Sequence, residues 1–371
     1  MLKIVGTVIV AALLLLARPA EPALATPIFS HQYEVVCSKC HSVVPHLNAF
    51  GAAFMASGYR IPGVTPGPAF PISIKANLSD SSEHQGSGPD GAGLPKAVVD
   101  EVELFTAGAI GSRAAYFAEQ YAIDGGMHGL VRDAWVIDRL NPWTAKIPLY
   151  LQAGAFTLPL PVDPETFRET AQHYANFDRT VGTNPFSFFD PKIGVRFSIG
   201  DQLRGLNMQV FAGPGHDRQS GLPSTGTDLM LYAQDGIGPV TLTAFRYAGT
   251  RPAAGGVTDG FVRYGYGVVF DQWGKLSLEN VLTAGTDADC GIATRCRSSG
   301  GFSQVRYAFN KRLFGLVRYE GADDPANGFA RDTVVLLGYG PTLNSRFTIE
   351  DVITHSPATT HTMNAQFTIA Y

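Results

Sequence analysis

Charge is scarce in this chain: Asp, Glu, Lys and Arg make up 16% of its 371 residues, and the formal net charge is only −4. A mildly acidic chain offers no basic footprint for a phosphate backbone, so nucleic-acid partners are excluded. Long apolar runs are lacking as well. After Lys3, an apolar run from Ile4 to Ala17 leads to Ala23-Leu24-Ala25, the small-residue pattern of a cleaved export signal. The run is shorter than the ~20 residues a spanning helix needs, and no later stretch exceeds it. A signal peptide over 1–25 is therefore expected. Helical repeats and low-complexity tracts are missing. The histidines and carboxylates are scattered, with no motif linking them as hydrolytic chemistry would require.

What the chain does have is glycine, aromatics and alternation. From about Phe70 to Tyr371, short segments of near-alternating polarity are separated by clusters of Gly, Asp, Asn and Pro. About sixteen are predicted, over 70–80, 98–111, 113–124, 129–140, 147–160, 192–201, 206–214, 227–236, 239–250, 259–271, 275–286, 300–309, 312–322, 330–340, 344–355 and 361–371. In the last of these, Met363, Ala365, Phe367, Ile369 and Tyr371 face one way and Thr362, Asn364, Gln366 and Thr368 the other. Ile193, Val195, Phe197 and Ile199 oppose Arg196 and Ser198 in the same manner, and Val262, Tyr264, Tyr266, Val268 and Phe270 oppose Arg263. The stretch from Leu130 to Arg139 is ambiguous, because Arg132 and Asp133 are adjacent.

Two-sided strands also build soluble sandwiches. Connection lengths favour a membrane barrel instead. Long links at 81–97, 161–191, 213–226 and 284–299 alternate with short ones at Gly111-Ser112, 201–205, Asp271 to Gly274 and Asn310-Lys311. Long outer loops and tight periplasmic turns are the habit of outer-membrane barrels. A closed barrel is also the only strand structure that satisfies every backbone group in lipid. The expected fold is an all-β, transmembrane antiparallel β-barrel of about sixteen strands over 70–371 in the cell outer membrane, preceded by a short helical segment over 26–69.

That segment contains Cys37-Ser38-Lys39-Cys40-His41, a C-x-x-C-H run. In such a run two thiols add to the haem vinyl groups and the adjacent imidazole is the proximal iron ligand. A thioredoxin-like pair would want a βαβ context, and a zinc site a second ligand pair, for which only His31 or His46 is at hand. A structural disulfide is the remaining alternative. A helix is predicted from Pro45 to Tyr59, with Pro45 in its first turn and Gly58 just past its end. Leu47, Phe50 and Phe54 share one stripe of it, Gly51 lies beside them and Met55 at the edge, which makes the stripe a candidate wall for a haem face. Met55 is the favoured sixth ligand, with His46, His31 and an open or barrel-supplied position as alternatives.

Cys37, Cys40 and His41, followed by Pro45, Leu47, Phe50-Gly51, Phe54 and Gly58-Tyr59, resemble the compact cytochrome segment of outer-membrane monohaem cytochrome-porin fusions, some of which oxidise ferrous iron outside the cell. The motif-level resemblance covers about 30 residues, and the rest is alike in architecture. That family often has basic residues where this chain has Ala52 and Met55. The resemblance implies one covalent haem c, the outer membrane and extracellular electron transfer.

So small a segment buries too little surface to stand alone, whereas a barrel of this size has a lumen wide enough for a plug. The segment is therefore expected inside the lumen, where Arg196, Arg263, Arg306 and Arg318 lie on the polar face as candidate propionate partners. Cys290 and Cys296 read as a disulfide in an outer loop. The expected function is an electron conduit that takes electrons from an extracellular donor, such as Fe(II), to a periplasmic carrier. The alternatives are a diffusion porin whose haem plug senses redox state or ligands, and a haem peroxidase with an open distal site. Homo-oligomerisation fits any of them.

Overall fold

The computed structural model describes residues 28–42, 46–61, 63–67, 72–82, 98–125, 127–164, 166–177, 187–201, 205–214, 226–252, 258–273, 275–288, 296–324, 328–342, 344–355 and 359–370. The expected signal peptide, Pro45 and Tyr371 lie outside them. Two short helices, α1 (Ile28–Tyr33) and α2 (Ala49–Ala56), flank a 3-10 turn at Cys37–Lys39. The strands follow: β1 Ser73–Ser81, β2 Val98–Ile110, β3 Ala114–Asp124, β4 in two pieces at Met127–His128 and Val131–Arg139, β5 Leu149–Phe156, β6 Lys192–Gly200, β7 Gly205–Gly213 and β8 Asp228–Ile237. The second half comprises β9 Val240–Pro252, β10 Thr258–Trp273, β11 Leu276–Asp287, β12 Cys296–Ala308, β13 Leu313–Asp324, β14 Gly328–Thr342, β15 Ser345–His355 and β16 Thr359–Ala370.

Every pairing is antiparallel, and β1 pairs with both β2 and the final strand, so the sheet closes on itself. Seventeen hydrogen-bonded segments form the ring, and two of them, the pieces of β4, pair in succession with β3, leaving sixteen staves. No helix among the described residues is long and apolar enough to cross a membrane, so the strands must do it.

Alternation sorts the side chains as expected. On β6, Ile193, Val195, Phe197 and Ile199 point outward and exposed, while Ser198 is buried inside. On β10, Tyr264, Tyr266 and Val268 are outside and Arg263 is 3% exposed within. An apolar exterior around a polar lumen is stable only against lipid. The ambiguity at Arg132 and Asp133 has a structural cause: the β3–β4 register steps from Ala118↔Ala134 to Gln120↔Val131. The extra residue is a β-bulge that turns both neighbouring side chains inward.

One connection departs from expectation. The chain after β5 was expected to continue as strand to 160 and then form an outer loop over 161–191. Instead β5 ends at Phe156, and the following residues fold into the lumen. Leu158, Leu160, Val162, Tyr174, Phe177 and Phe188 form one buried cluster with inward-facing Phe211, Tyr247 and Phe302 of the wall. Six aromatics between 167 and 189 would be costly on a surface loop, and burial of that apolar area draws the described part of the segment inward. Polar anchors fix it to the wall on β13 and β15, eight and six staves from β5 around the closed ring. Arg318 donates to Thr170 Oγ1 (2.9 Å) and to the carbonyls of Gln172 and His173 (3.0 Å each). Glu350 accepts from the amides of Ala171 (3.0 Å) and Gln172 (2.8 Å), and Glu320 from that of Ala175 (2.8 Å).

Candidate functional site

The N-terminal segment packs inside the barrel, against β2, β3 and β4. Arg60 Nη2 donates to the carbonyls of Gly111 (2.7 Å) and Ala114 (2.5 Å), which lie at the tight β2–β3 turn. Gln32 Nε2 donates to Ala107 O (3.2 Å), and the amide of Ile28 to Ser73 Oγ (2.6 Å). Tyr59 stacks on Phe29, Phe117 and Trp135 at 4.3, 5.6 and 5.9 Å between centroids. Gly58 lies past the end of α2 with φ +71°, as predicted, and a Cβ there would sit 2.7 Å from Ile137 Cγ2. Only glycine permits both that backbone conformation and that approach to the wall.

Within the segment, the 3-10 turn brings Cys37, Cys40 and His41 together. The amide of Cys40 donates to Cys37 O (3.1 Å), as does that of His41 (2.9 Å). Helix α2 begins at Ala49 rather than near Pro45, because the Asn48 side chain caps it by accepting from the Gly51 amide (3.0 Å). A Cβ on Gly51 would come within 2.1 Å of Cys40 O, so this glycine lets the helix lie directly on the C-x-x-C-H turn. The expected stripe is divided: Phe50 and Leu47 face a lumenal cavity, but Phe54 turns into the segment's own aromatic cluster with Phe29, Tyr33 and Tyr59.

That cavity, about 940 Å³, lies between α2, the inward segment and the wall. Met55 and His46 line it, whereas Cys37, Cys40 and His41 do not. Met55 Sδ is 3.9 Å from Thr166 Oγ1, and the buried His46 ring meets Phe167 edge-on at 5.2 Å. The His31 side chain lies outside the described part of the structure. Among the described residues, five carboxylates line the cavity (Glu119, Asp133, Asp163, Asp201 and Glu279) against one guanidinium, Arg196. The other three candidate arginines are engaged elsewhere: Arg263 with Asp287 (2.7 Å), Arg306 with Glu169 (2.8 Å) and Arg318 with Glu320 (3.0 Å).

Two thiols and an adjacent imidazole on one turn are the residue types that would hold a covalent haem. Cys37 and Cys40 are not joined in a disulfide. Burial pushes both thiols up, Cys40 to about 11 with help from Cys37, the opposite of what a reactive redox pair needs. Among the described residues no three His, Cys, Asp or Glu side chains gather to hold a metal ion. The cavity is of the size that cofactor sites occupy. Cys296, at the start of β12, is disulfide-bonded, and its expected partner Cys290 lies outside the described residues.

Composition and spacing pointed to neither Arg60 nor Thr166 and Phe167, since each acts through a contact distant in sequence. No protein-family model matches the chain, and no curated protein matches it significantly. Solved structures do. The anion-selective porin from Comamonas acidovorans aligns at TM-score 0.61 with 10% identity, over 81% of this chain and 98% of that one. Salmonella typhi OmpF, solved with daunomycin, aligns at 0.57 with 11% identity over 81% and 97%. A trimer form of OmpT, an outer membrane protein of Vibrio cholerae, aligns at 0.51 with 10% identity over 81% and 98%. At such identities the likeness is one of fold, and with its closed ladder and apolar exterior the chain is a porin-like β-barrel of the outer membrane.

Proposed function

We propose that this protein is a porin-type channel whose lumenal plug carries one haem c, attached through Cys37 and Cys40 with His41 as proximal ligand. The observation that supports this most directly is where the C-x-x-C-H turn lies: on a segment held inside the barrel, next to a cavity of cofactor size. When bound, the haem supplies a one-electron centre. The chain's own residues do the rest. Arg60 pins the plug to the tight-turn end, the described parts of the inward segment at 157–164, 166–177 and 187–190 occupy the lumen, and Phe50 and Leu47 offer an apolar wall. Met55 is the proposed distal ligand because it reaches the cavity from α2. Reconstituted into planar bilayers, the protein is expected to give discrete ohmic conductance steps. Folded, heat-modifiable protein that never conducts would remove the channel from this reading.

The same placement favours a second reading, an electron conduit between an extracellular donor and a periplasmic carrier. Its specific support is the acidic cavity lining, which attracts a cationic reductant such as Fe(II) and repels anions. Liposomes with an entrapped acceptor and external Fe(II) test it: acceptor reduction supports the conduit, and its absence leaves the channel alone. Self-association belongs to both readings, since one similar structure is described as a trimer form.

A further inference from the structure

We propose that Arg346 is the centre of a lumenal binding site for a small oxyanion. The buried arginines Arg251, Arg263, Arg306 and Arg318 each have a carboxylate within 3.0 Å. Arg346, at the start of β15, does not. It is 4% exposed, and its Nη2 donates only to neutral partners, Gln366 Oε1 (3.3 Å) and Thr368 Oγ1 (3.5 Å). Its Nε and Nη1 are buried with no hydrogen-bond partner among the described residues.

The nearby acids Glu101, Glu169 and Glu350 hydrogen-bond to other groups, Glu101 to the Asn77 side chain. Glu169 takes both of its short hydrogen bonds from Arg306 Nε, and Glu350 holds the amides of Ala171 and Gln172 and the Asn364 side chain. A guanidinium cannot shed its proton, and a buried charge with no carboxylate in contact is unfavourable. What this side chain lines is a polar pocket of about 160 Å³.

Among the described residues, four cations line that pocket (Arg346, Arg132, Arg168 and Lys75) against three carboxylates (Asp100, Glu101 and Asp124). Lys75 is itself held by Glu103 at 2.5 Å. The volume is several times a water's share of about 30 Å³, enough for a tetrahedral or planar oxyanion with residual water and too little for a nucleotide. Nε and Nη1 lie on opposite edges of the planar guanidinium, so an oxyanion would take a charge-assisted hydrogen bond from one of them, with Nη2 as the second donor of that edge once it yields its long bonds to Gln366 and Thr368. The ligand class is thus a small oxyanion, phosphate or a short carboxylate. The site rests only on its place in the lumen, and neither haem nor conduction enters the argument.

The test is calorimetric titration of the full-length, detergent-solubilised protein with inorganic phosphate, ionic strength being held constant with chloride. Saturable binding of one phosphate is expected, weakened roughly tenfold or more in Arg346→Gln and less in Arg346→Lys. Heat-modifiable migration identifies the variants that still fold. No saturable binding to the wild type, or equal binding by Arg346→Gln, overturns the proposal. If Arg346→Gln does not fold, the wild type decides: phosphate should raise its unfolding temperature above that in chloride of the same ionic strength, and no rise overturns the site. A failure to conduct in bilayers would leave these outcomes unchanged.

Discussion

Arg306 on β12 holds Glu169 of the inward segment through one nitrogen, with Nε 2.8 Å from each carboxylate oxygen and both side chains buried. The pair ties a segment that leaves the barrel after β5 to the far side of the lumen. Its removal should therefore change the pore more than the barrel.

Replacing Arg306 by Ala strands a buried carboxylate, a change worth about 3–5 kcal/mol when no partner substitutes. The segment is expected to detach locally, giving a larger and noisier single-channel conductance with the barrel still heat-modifiable. Unchanged conductance in Arg306→Ala would mean that the pair does not hold the constriction.

Gly51→Ala probes the contact between α2 and the C-x-x-C-H turn. The new Cβ would press on Cys40 O, and overpacking of this kind costs about 1–3 kcal/mol. Haem per chain is expected to fall while the barrel still inserts, as read by haem absorbance against protein concentration. Equal loading in Gly51→Ala would show that the helix yields without disturbing the turn.

The strands were legible because alternation and turn residues are local signals, and the last strand illustrates it: Gln366 and Thr368 are buried in the lumen while Met363 is exposed outside. The inward course of 157–164, 166–177 and 187–190 was not legible from connection length alone. Its aromatics, among them Tyr174, Phe177 and Phe188, were the available signal, since a solvated loop has no use for them. Pro45 suggested a helix start that the Asn48 cap sets three to four residues later. Phe54 shares a stripe with Phe50, but which of them meets the cavity depends on how the segment docks, and no periodicity encodes that.

β16 closes the ring between β15 and β1. Truncation after about Ser356 would leave two raw strand edges in lipid, each unpaired backbone group costing several kcal/mol. Heat-modifiable insertion should be abolished, as judged by mobility of boiled and unboiled membrane fractions. Normal insertion of the truncated chain would contradict the closed barrel.

Met55 is expected to be the distal ligand, and a thioether there raises the potential relative to a second imidazole. Met55→His should keep six-coordinate iron at a lower potential, and Met55→Ala should open a site for carbon monoxide. His46→Ala and His31→Ala should do neither. A wild-type low-spin spectrum and potential in Met55→Ala would move the assignment to His46, which lines the same cavity.

The haem-bearing plug is tested most directly by haem stoichiometry on the denatured protein after expression with a cytochrome c maturation system. One covalent haem per chain is expected for the wild type and none when Cys37 and Cys40 are both replaced by Ser. Full-length, correctly inserted protein that carries no covalent haem would contradict the account.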